Sequence, residues 1–185
     1  MIIHGLILAA GESSRLGQPK QLVQCQGLSL LQMTENKLNQ VVSRTWVVLG
    51  YQSTLCAKEI QAAKIIINKD WQAGQSRSLH VGLKQAMAGA DAVLVAVCDQ
   101  PHIGVTHYQH MVQEAQNHPE LIIASTYQNT VGVPVIYPLT HCRALLANRE
   151  LSGAQYLRHQ QPRIRPIPCE SGAFDVDCPR DLESL

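Results

Sequence analysis

The sequence predicts an α/β fold of three layers, a mainly parallel sheet with helices on both faces. Three observations carry this. Strand-like apolar runs alternate with helix-period segments through most of the chain, the pattern of repeated βαβ units. The run Ala92-Val93-Leu94-Val95-Ala96-Val97 is apolar at every position, as a strand covered on both faces must be. The first apolar run, Ile2 to Leu8, passes directly into small, glycine-containing and basic residues, Ala9 to Lys20, the pattern of a buried strand ending in a ligand-facing turn.

The elements follow in order. Ser29 to Val42 reads as a helix, because Leu30, Leu31, Leu38 and Val41 form one stripe. Trp46 to Leu49 is a short strand, Thr54 to Ala63 a helix, and Lys64 to Asn68 a β-branched strand. Ser76 to Met87 is helical, with Leu79, Leu83 and Met87 in phase, and Asp91 to Val97 is the central strand. Val105 to Asn117 is a helix and Leu121 to Ala124 a strand. Val131 to Tyr137 is extended, its Pro134 suiting an edge or an irregular position. Helices fit Thr140 to Ala147 and Ser152 to Gln160. Arg163 to Ile167 and Ala173 to Val176 read as short strands, and Pro179 opens a terminal helix.

Composition bounds the function. A chain of 185 residues suits a single domain, 1–185, with a real core. Its 45% hydrophobic and 16% charged residues are ordinary for a globular protein. A net charge of +1 gives no broad electrostatic case for nucleic acid or membrane binding. No apolar run is long enough to span a bilayer, and the amino terminus lacks a signal-peptide pattern, so the expected location is cytoplasmic. None of the six cysteines forms a CxxC pair; reduced, mostly buried thiols are expected. His107 and His110 sit at i, i+3 without a third ligand, which favours a solvated helix face over a metal site.

The chemistry concentrates in a few stretches. Backbone N–H groups between Ala10 and Gly17 can face an anion, with Arg15 and Lys20 adding positive charge. The spacing is neither a Walker A loop nor a GxGxxG fingerprint. Asp99 closes the central strand, where open α/β sheets place their ligands, and can hold Mg²⁺ or cap the following turn before Pro101. Asp175 and Asp177 fall on one side of an extended segment, where Asp177 can meet a cation or cap the terminal helix. Gly74 can turn a loop, after which Ser76 or Ser78 can cap a helix.

Leu8, Ala9, Ala10, Gly11, Ser13, Arg15, Gly17 and Lys20 match the signature LAAGxSxRMGxxK, with Leu16 where Met is usual. On these residues the chain resembles the Rossmann-like nucleotidyltransferases, and within them the molybdenum-cofactor branch of molybdopterin cytidylyltransferases and guanylyltransferases. Asp99-Gln100-Pro101 resembles that family's DQP motif, Asp175 to Leu182 its DIDTPEDL ending, and Asn68 to Gly82 its NxxWxxGxxxSLxxG segment. Gly132-Val133-Pro134 is similar to its GxP. Glu150 to Gln155 stands where GDxGAR is usual, with Leu151 replacing Asp and Gln155 replacing Arg.

The resemblance implies a fold of the nucleotide-diphospho-sugar transferase type, with a nucleotide-binding half at 1–101 and an acceptor-binding half at 102–185. It implies transfer of a nucleotide from a nucleoside triphosphate to a phosphorylated acceptor of pterin type, molybdopterin, with release of pyrophosphate. Arg15, Lys20 and Asp99 are then the catalytic residues. Leu8, Ala9, Ala10, Gly11, Arg15, Gly17, Lys20 and Ser78 bind the nucleotide, and Gly132 and Pro134 the acceptor. Asp99 and Asp177 hold Mg²⁺, with Asp175 beside them. Ala10-Gly11 resembles cytidylyl-type members and favours CTP. Transient contact with a molybdoenzyme or its chaperone is implied as well. A sugar phosphate acceptor, or a carrier of nucleotide or pterin without catalysis, are the alternatives; a nicotinamide-dependent oxidoreductase is disfavoured by the missing GxGxxG.

Overall fold

A computed structural model describes residues 1–148 and 151–185. The chain begins with β1 (Ile3–Ala9), buried at every position. A long loop and a small hairpin, β2 (Gln24–Cys25) and β3 (Leu28–Ser29), lead into α1 (Leu30–Leu38). Then come β4 (Arg44–Leu49), α2 (Ser53–Cys56), β5 (Lys64–Ile67), α3 (Gln75–Ala86) and β6 (Ala92–Val97). The remainder is α4 (Val105–Asn117), β7 (Ile122–Tyr127), β8 (Thr130–Pro138), α5 (Leu139–Ala147), α6 (Gly153–His159) and β9 (Ile164–Pro168). No described helix is long and apolar enough to cross a membrane.

Seven strands form one sheet in the order β5-β4-β1-β6-β8-β7-β9. The fold class is the α/β arrangement expected, with one exception to parallel pairing: β8 runs antiparallel to both of its neighbours. β1 lies parallel between β4 and β6, with Leu8 opposite both Val48 and Val97. The carboxyl ends of these three strands are therefore level, and the segments that follow them share one rim of the sheet. One face is packed by Leu31 and Leu38 of α1 and by Tyr108 and Met111 of α4. The other is packed by Leu79 and Leu83 of α3, Leu145 of α5 and Leu157 of α6. Each such fully buried side chain contributes about 1.5–3 kcal/mol from area removed from water.

Local departures from the sequence pattern have physical causes. α1 starts at Leu30 because Ser29 and Gln32 form a reciprocal cap: the Ser29 hydroxyl accepts the Gln32 N–H at 3.2 Å and the Gln32 side chain accepts the Ser29 N–H at 2.9 Å. It ends at Leu38 rather than Val42. The helix expected over Thr54 to Ala63 is only one turn, Ser53–Cys56, followed by a 3-10 turn, Ala57–Glu59. The wholly buried carboxylate of Glu35 accepts the N–H groups of Gln61, Ala62 and Ala63 at 3.0, 2.8 and 2.7 Å, drawing that segment out of helical pairing. Pro134 lies in the sheet interior and not at an edge, since β8 sits between β6 and β7; the irregularity it suggested is a register shift at Ala124/Ser125. Ala173 to Val176 is not a strand. A 3-10 turn, Glu170–Ala173, is followed by extended chain that touches the β6 end through one bond, Val176 N–H to the Asp99 carbonyl at 2.9 Å.

Candidate active site

The level ends of β1 and β6 open into a cleft of about 280 Å³. Ala9, Ala10 and Gly11 line it from the end of β1, and Val97, Cys98 and Asp99 from the end of β6. Trp71, Gly74, Gln75 and Ser78 face it from α3 and the turn before that helix, and Lys20 and Gln21 complete it. Trp71 is braced by Tyr51, whose ring meets it edge-on at 5.5 Å. Gly50 lets these walls approach: a Cβ there would stand 2.5 Å from Trp71 and 2.7 Å from the Ala10 carbonyl.

The loop after β1 reverses at Ser13 and Gly17, whose φ angles are 59° and 76°. Gly11 is not in that left-handed region, and a Cβ added to it would meet nothing within 4 Å. The two glycines expected to shape the turn thus divide the work: Gly17 bends the chain and Gly11 keeps the wall low. Leu16 and Gly17 donate to the Ser13 carbonyl at 3.0 and 3.2 Å, and the Ser13 hydroxyl accepts the Lys20 N–H at 3.2 Å. Gln21 supports the start of the loop. Its side-chain amide donates to the carbonyls of Ala9 and Gly11 at 2.8 and 2.9 Å, while Tyr51 N–H takes the Ala10 carbonyl at 3.0 Å.

Lys20 Nζ bridges two carboxylates far apart in sequence, Asp99 at 2.6 Å and Asp177 at 2.8 Å. Arg15 reaches the second oxygen of Asp177 at 2.7 Å. Burial alone would lower the Lys20 pKa; the charges and hydrogen bonds of Asp99 and Asp177 outweigh it and hold the ammonium protonated well above its ordinary value. The Lys20 hydrogen bond, with help from Arg15, keeps Asp177 below the usual carboxylate range. Asp175 is pushed the other way, first by loss of solvent and then by the charge of Asp99. Asp99 Oδ1 is buried with no hydrogen-bond partner among the described residues.

Packing of the tail delivers Asp177 to this point. Val176 is fully buried with Leu16, Val23, Cys25 and Leu30, so the carboxy-terminal segment and the Arg15 loop share one small core. Asp177 does not cap the terminal turn. Cys178 is its N-cap, and Asp181 completes the cap, accepting the N–H groups of Asp177 and Cys178 at 2.8 and 2.7 Å.

A second cavity, about 480 Å³, adjoins the first and shares Leu8 and Gln75 with it. Gly132, Val133, Tyr127 and Tyr137 line it from β7 and β8, and Ser152, Gly153, Ala154 and Leu157 from α6. Among the described residues, no Lys, Arg, Asp or Glu lines it. Pro134 is buried beside it without lining it, its carbonyl accepting the Ser125 hydroxyl at 2.9 Å. Gln100, next to Asp99, donates to the Gly172 carbonyl at 2.9 Å and to the hydroxyl of Tyr127, which lines the second cavity, at 3.4 Å. His107 is half-buried and not solvated: its Nε2 meets the Ser125 hydroxyl at 2.8 Å, and burial lowers its pKa to about 4.

The model of the MobA-like NTP transferase domain matches residues 5–164. The chain belongs to this family. Among relatives, a probable molybdenum cofactor guanylyltransferase from Nostoc is 25% identical, over 97% of this chain and 88% of its own. A protein named nicotine blue oxidoreductase from Paenarthrobacter nicotinovorans is 30% identical, over 99% of this chain and 96% of its own. Of solved structures, Rv0371c from Mycobacterium tuberculosis in complex with manganese shares the fold with a TM-score of 0.79 at 22% identity, each chain covered in full (100%).

The structure gathers Ala9, Ala10, Gly11, Lys20, Ser78 and Asp99 around the first cleft, and brings Arg15 and Asp177, the latter beyond the matched residues, to the Lys20 corner. Leu8 lines both cavities; Gly17 shapes the loop without lining either. Ser78 is not a helix cap. Gly74 precedes α3 without a side-chain cap, and the Ser78 hydroxyl accepts from the buried Asn68 amide at 3.0 Å. Lys69 lines neither cavity, and Arg77 forms an exposed pair with Asp70 at 2.9 Å. Glu150 lies outside the described residues. Gln21 carries no sequence signal beyond its place directly after Lys20; that it is only 1% exposed is seen in the structure alone.

Proposed function

We propose that this protein transfers CMP from CTP to the phosphate of molybdopterin or a close phosphorylated relative, releasing pyrophosphate. One observation carries the reading: the turn after β1 and the aspartate closing β6 line the same cleft, with Lys20 between them. The chemistry asks for an acceptor phosphate in line with the α-phosphorus and for positive charge where pyrophosphate departs. Lys20 and Arg15 bring that charge to one corner. The acceptor phosphate is itself the nucleophile, so no general base is required.

Asp99 and Asp177 would hold a divalent cation, Mg²⁺ in this reading. They fit one: both carboxylates come within 2.6 and 2.8 Å of a single ammonium nitrogen, and Asp99 Oδ1 is buried without a donor. Two carboxylates would suffice for magnesium, a cation commonly held by one or two carboxylates. When bound, the ion neutralises charge on the phosphate oxygens. The remaining work belongs to the chain. The turn holds the triphosphate, Lys20 and Arg15 stabilise the leaving group, and the cavity beside β8 and α6 orients the acceptor. In this division residues 1–101 serve the nucleotide and 102–185 chiefly the acceptor, in the cytoplasm.

The Ala10 methyl on the wall of a cleft of about 280 Å³ supports a pyrimidine base. GTP is the competing donor, because the Nostoc relative carries a guanylyltransferase name. Pyrophosphate release measured with CTP, GTP, UTP and ATP against molybdopterin and sugar 1-phosphates decides between them. The reading expects one preferred pair, CTP with molybdopterin. Release of no pyrophosphate from any pair would leave a binding protein in place of an enzyme.

A further inference from the structure

We propose that Gln21 is a positioning residue for the triphosphate, the clamp that aims the backbone donors of the turn into the cleft. The proposal rests on the reading of that cleft as the nucleotide site. A trans peptide is planar, with its C=O and N–H pointing opposite ways. Gln21 holds the carbonyls of both Ala9 and Gly11. The N–H groups across those two peptides, of Ala10 and Glu12, must then point away from Gln21. Neither finds a protein acceptor among the described residues, and both residues line the cleft. Backbone N–H groups gathered on one side can make an anion site.

The orientation of the Gln21 amide is not open to choice. Flipped, its oxygen would face two carbonyl oxygens at 2.8 and 2.9 Å. In the orientation seen, Oε1 is buried with no partner, an arrangement that natural structures rarely keep without a reason. Here the reason is the two carbonyls that Nε2 fixes. Gln21 also sits directly after Lys20 in the same 3-10 turn, Lys20–Leu22. The clamp therefore sets the backbone donors and the Lys20 ammonium in one register, across the neck of the loop.

Two substitutions test this. Gln21→Met keeps the length and removes both donors; Gln21→Glu keeps the shape and turns both attractions into repulsions. Binding is read by calorimetry with CTP, with inorganic tripolyphosphate and with cytidine. The expected result is about tenfold weaker CTP and tripolyphosphate binding in Gln21→Met, more in Gln21→Glu, from loss of an oriented set of donors. Cytidine binding should stay within about twofold of wild type, and the KM for CTP should rise while that for the acceptor holds. Equal losses for cytidine and CTP, or unchanged tripolyphosphate binding in Gln21→Met, overturn the proposal. Should Gln21→Glu fail to fold, Gln21→Met alone carries the test. Absence of CTP and tripolyphosphate binding in the wild type would instead remove the nucleotide reading itself.

Discussion

The two cavities differ in how they are built. The cleft at the ends of β1 and β6 is small and charged, and its geometry is fixed by long-range polar contacts: Lys20 to Asp99 and Asp177, and Gln21 to the turn. The cavity beside β8 and α6 is larger, and its described lining carries no Lys, Arg, Asp or Glu. The first suits a ligand whose identity is mostly phosphate. The second suits the body of a ligand, selected by shape and a few hydroxyls. Electrostatics can tolerate little error in the first, because two carboxylates and two cations must balance within one corner. Packing governs the second.

The sharpest way to break this comparison is Asp99→Ala. Pyrophosphate release should fall by about a thousandfold, as for loss of a group acting on transition-state charge, with the circular dichroism spectrum unchanged. Persisting activity would remove Asp99 from the chemistry. Lys20→Ala comes next, with kcat/KM for the triphosphate lowered by about 10- to 150-fold, the equivalent of one charged hydrogen bond of about 1.5–3 kcal/mol. On the other side, Gly132→Ala places a Cβ 2.5 Å from the Tyr127 hydroxyl. The acceptor KM should rise by about three- to tenfold while triphosphate binding holds, which titrations of the two substrates would separate.

The smallest effect is a difference in pH response. Burial depresses the His107 pKa from 6.5 to about 4, so the unfolded chain binds the extra proton first. The stability contributed by neutral His107 is full above pH 6.5 and lost as the pH falls toward about 4. Asp177 is depressed by Lys20, so its contribution is full above the ordinary carboxylate value of 3.8 and lost only below it. Urea midpoints between pH 7 and pH 4 should therefore decline, and His107→Gln should flatten that decline. An unchanged slope in the variant would show that the His107–Ser125 contact does not couple the β7–β8 side of the sheet to pH.

Much of the sheet was legible because a strand covered on both faces is mostly apolar: β6 is apolar throughout, and β1 departs only at His4, whose ring meets the Ala86 carbonyl. α4 was legible to the residue, since its stripe has one period and no competing partner. The helix expected over Thr54 to Ala63 was not, because a single buried carboxylate on α1 takes three of its N–H groups. The Arg15–Lys20 stretch announced an anion site by residue type. That both cations already face carboxylates could not be read there, since Asp177 lies 157 positions from Lys20.

The sequence by itself determined the alternation of elements, the ligand-facing turn and the aspartate at the end of the central strand, because periodicity and residue chemistry are local properties. Only the tertiary structure decided that the carboxy-terminal tail returns to that turn, that Lys20 joins Asp99 to Asp177, and that Gln21 fixes the peptide planes between them. Those depend on which buried surfaces find one another, as Val176 finds Leu16 and Leu30. Contacts between residues so distant in the chain are set by the packing of the whole core, and no short stretch of sequence contains them.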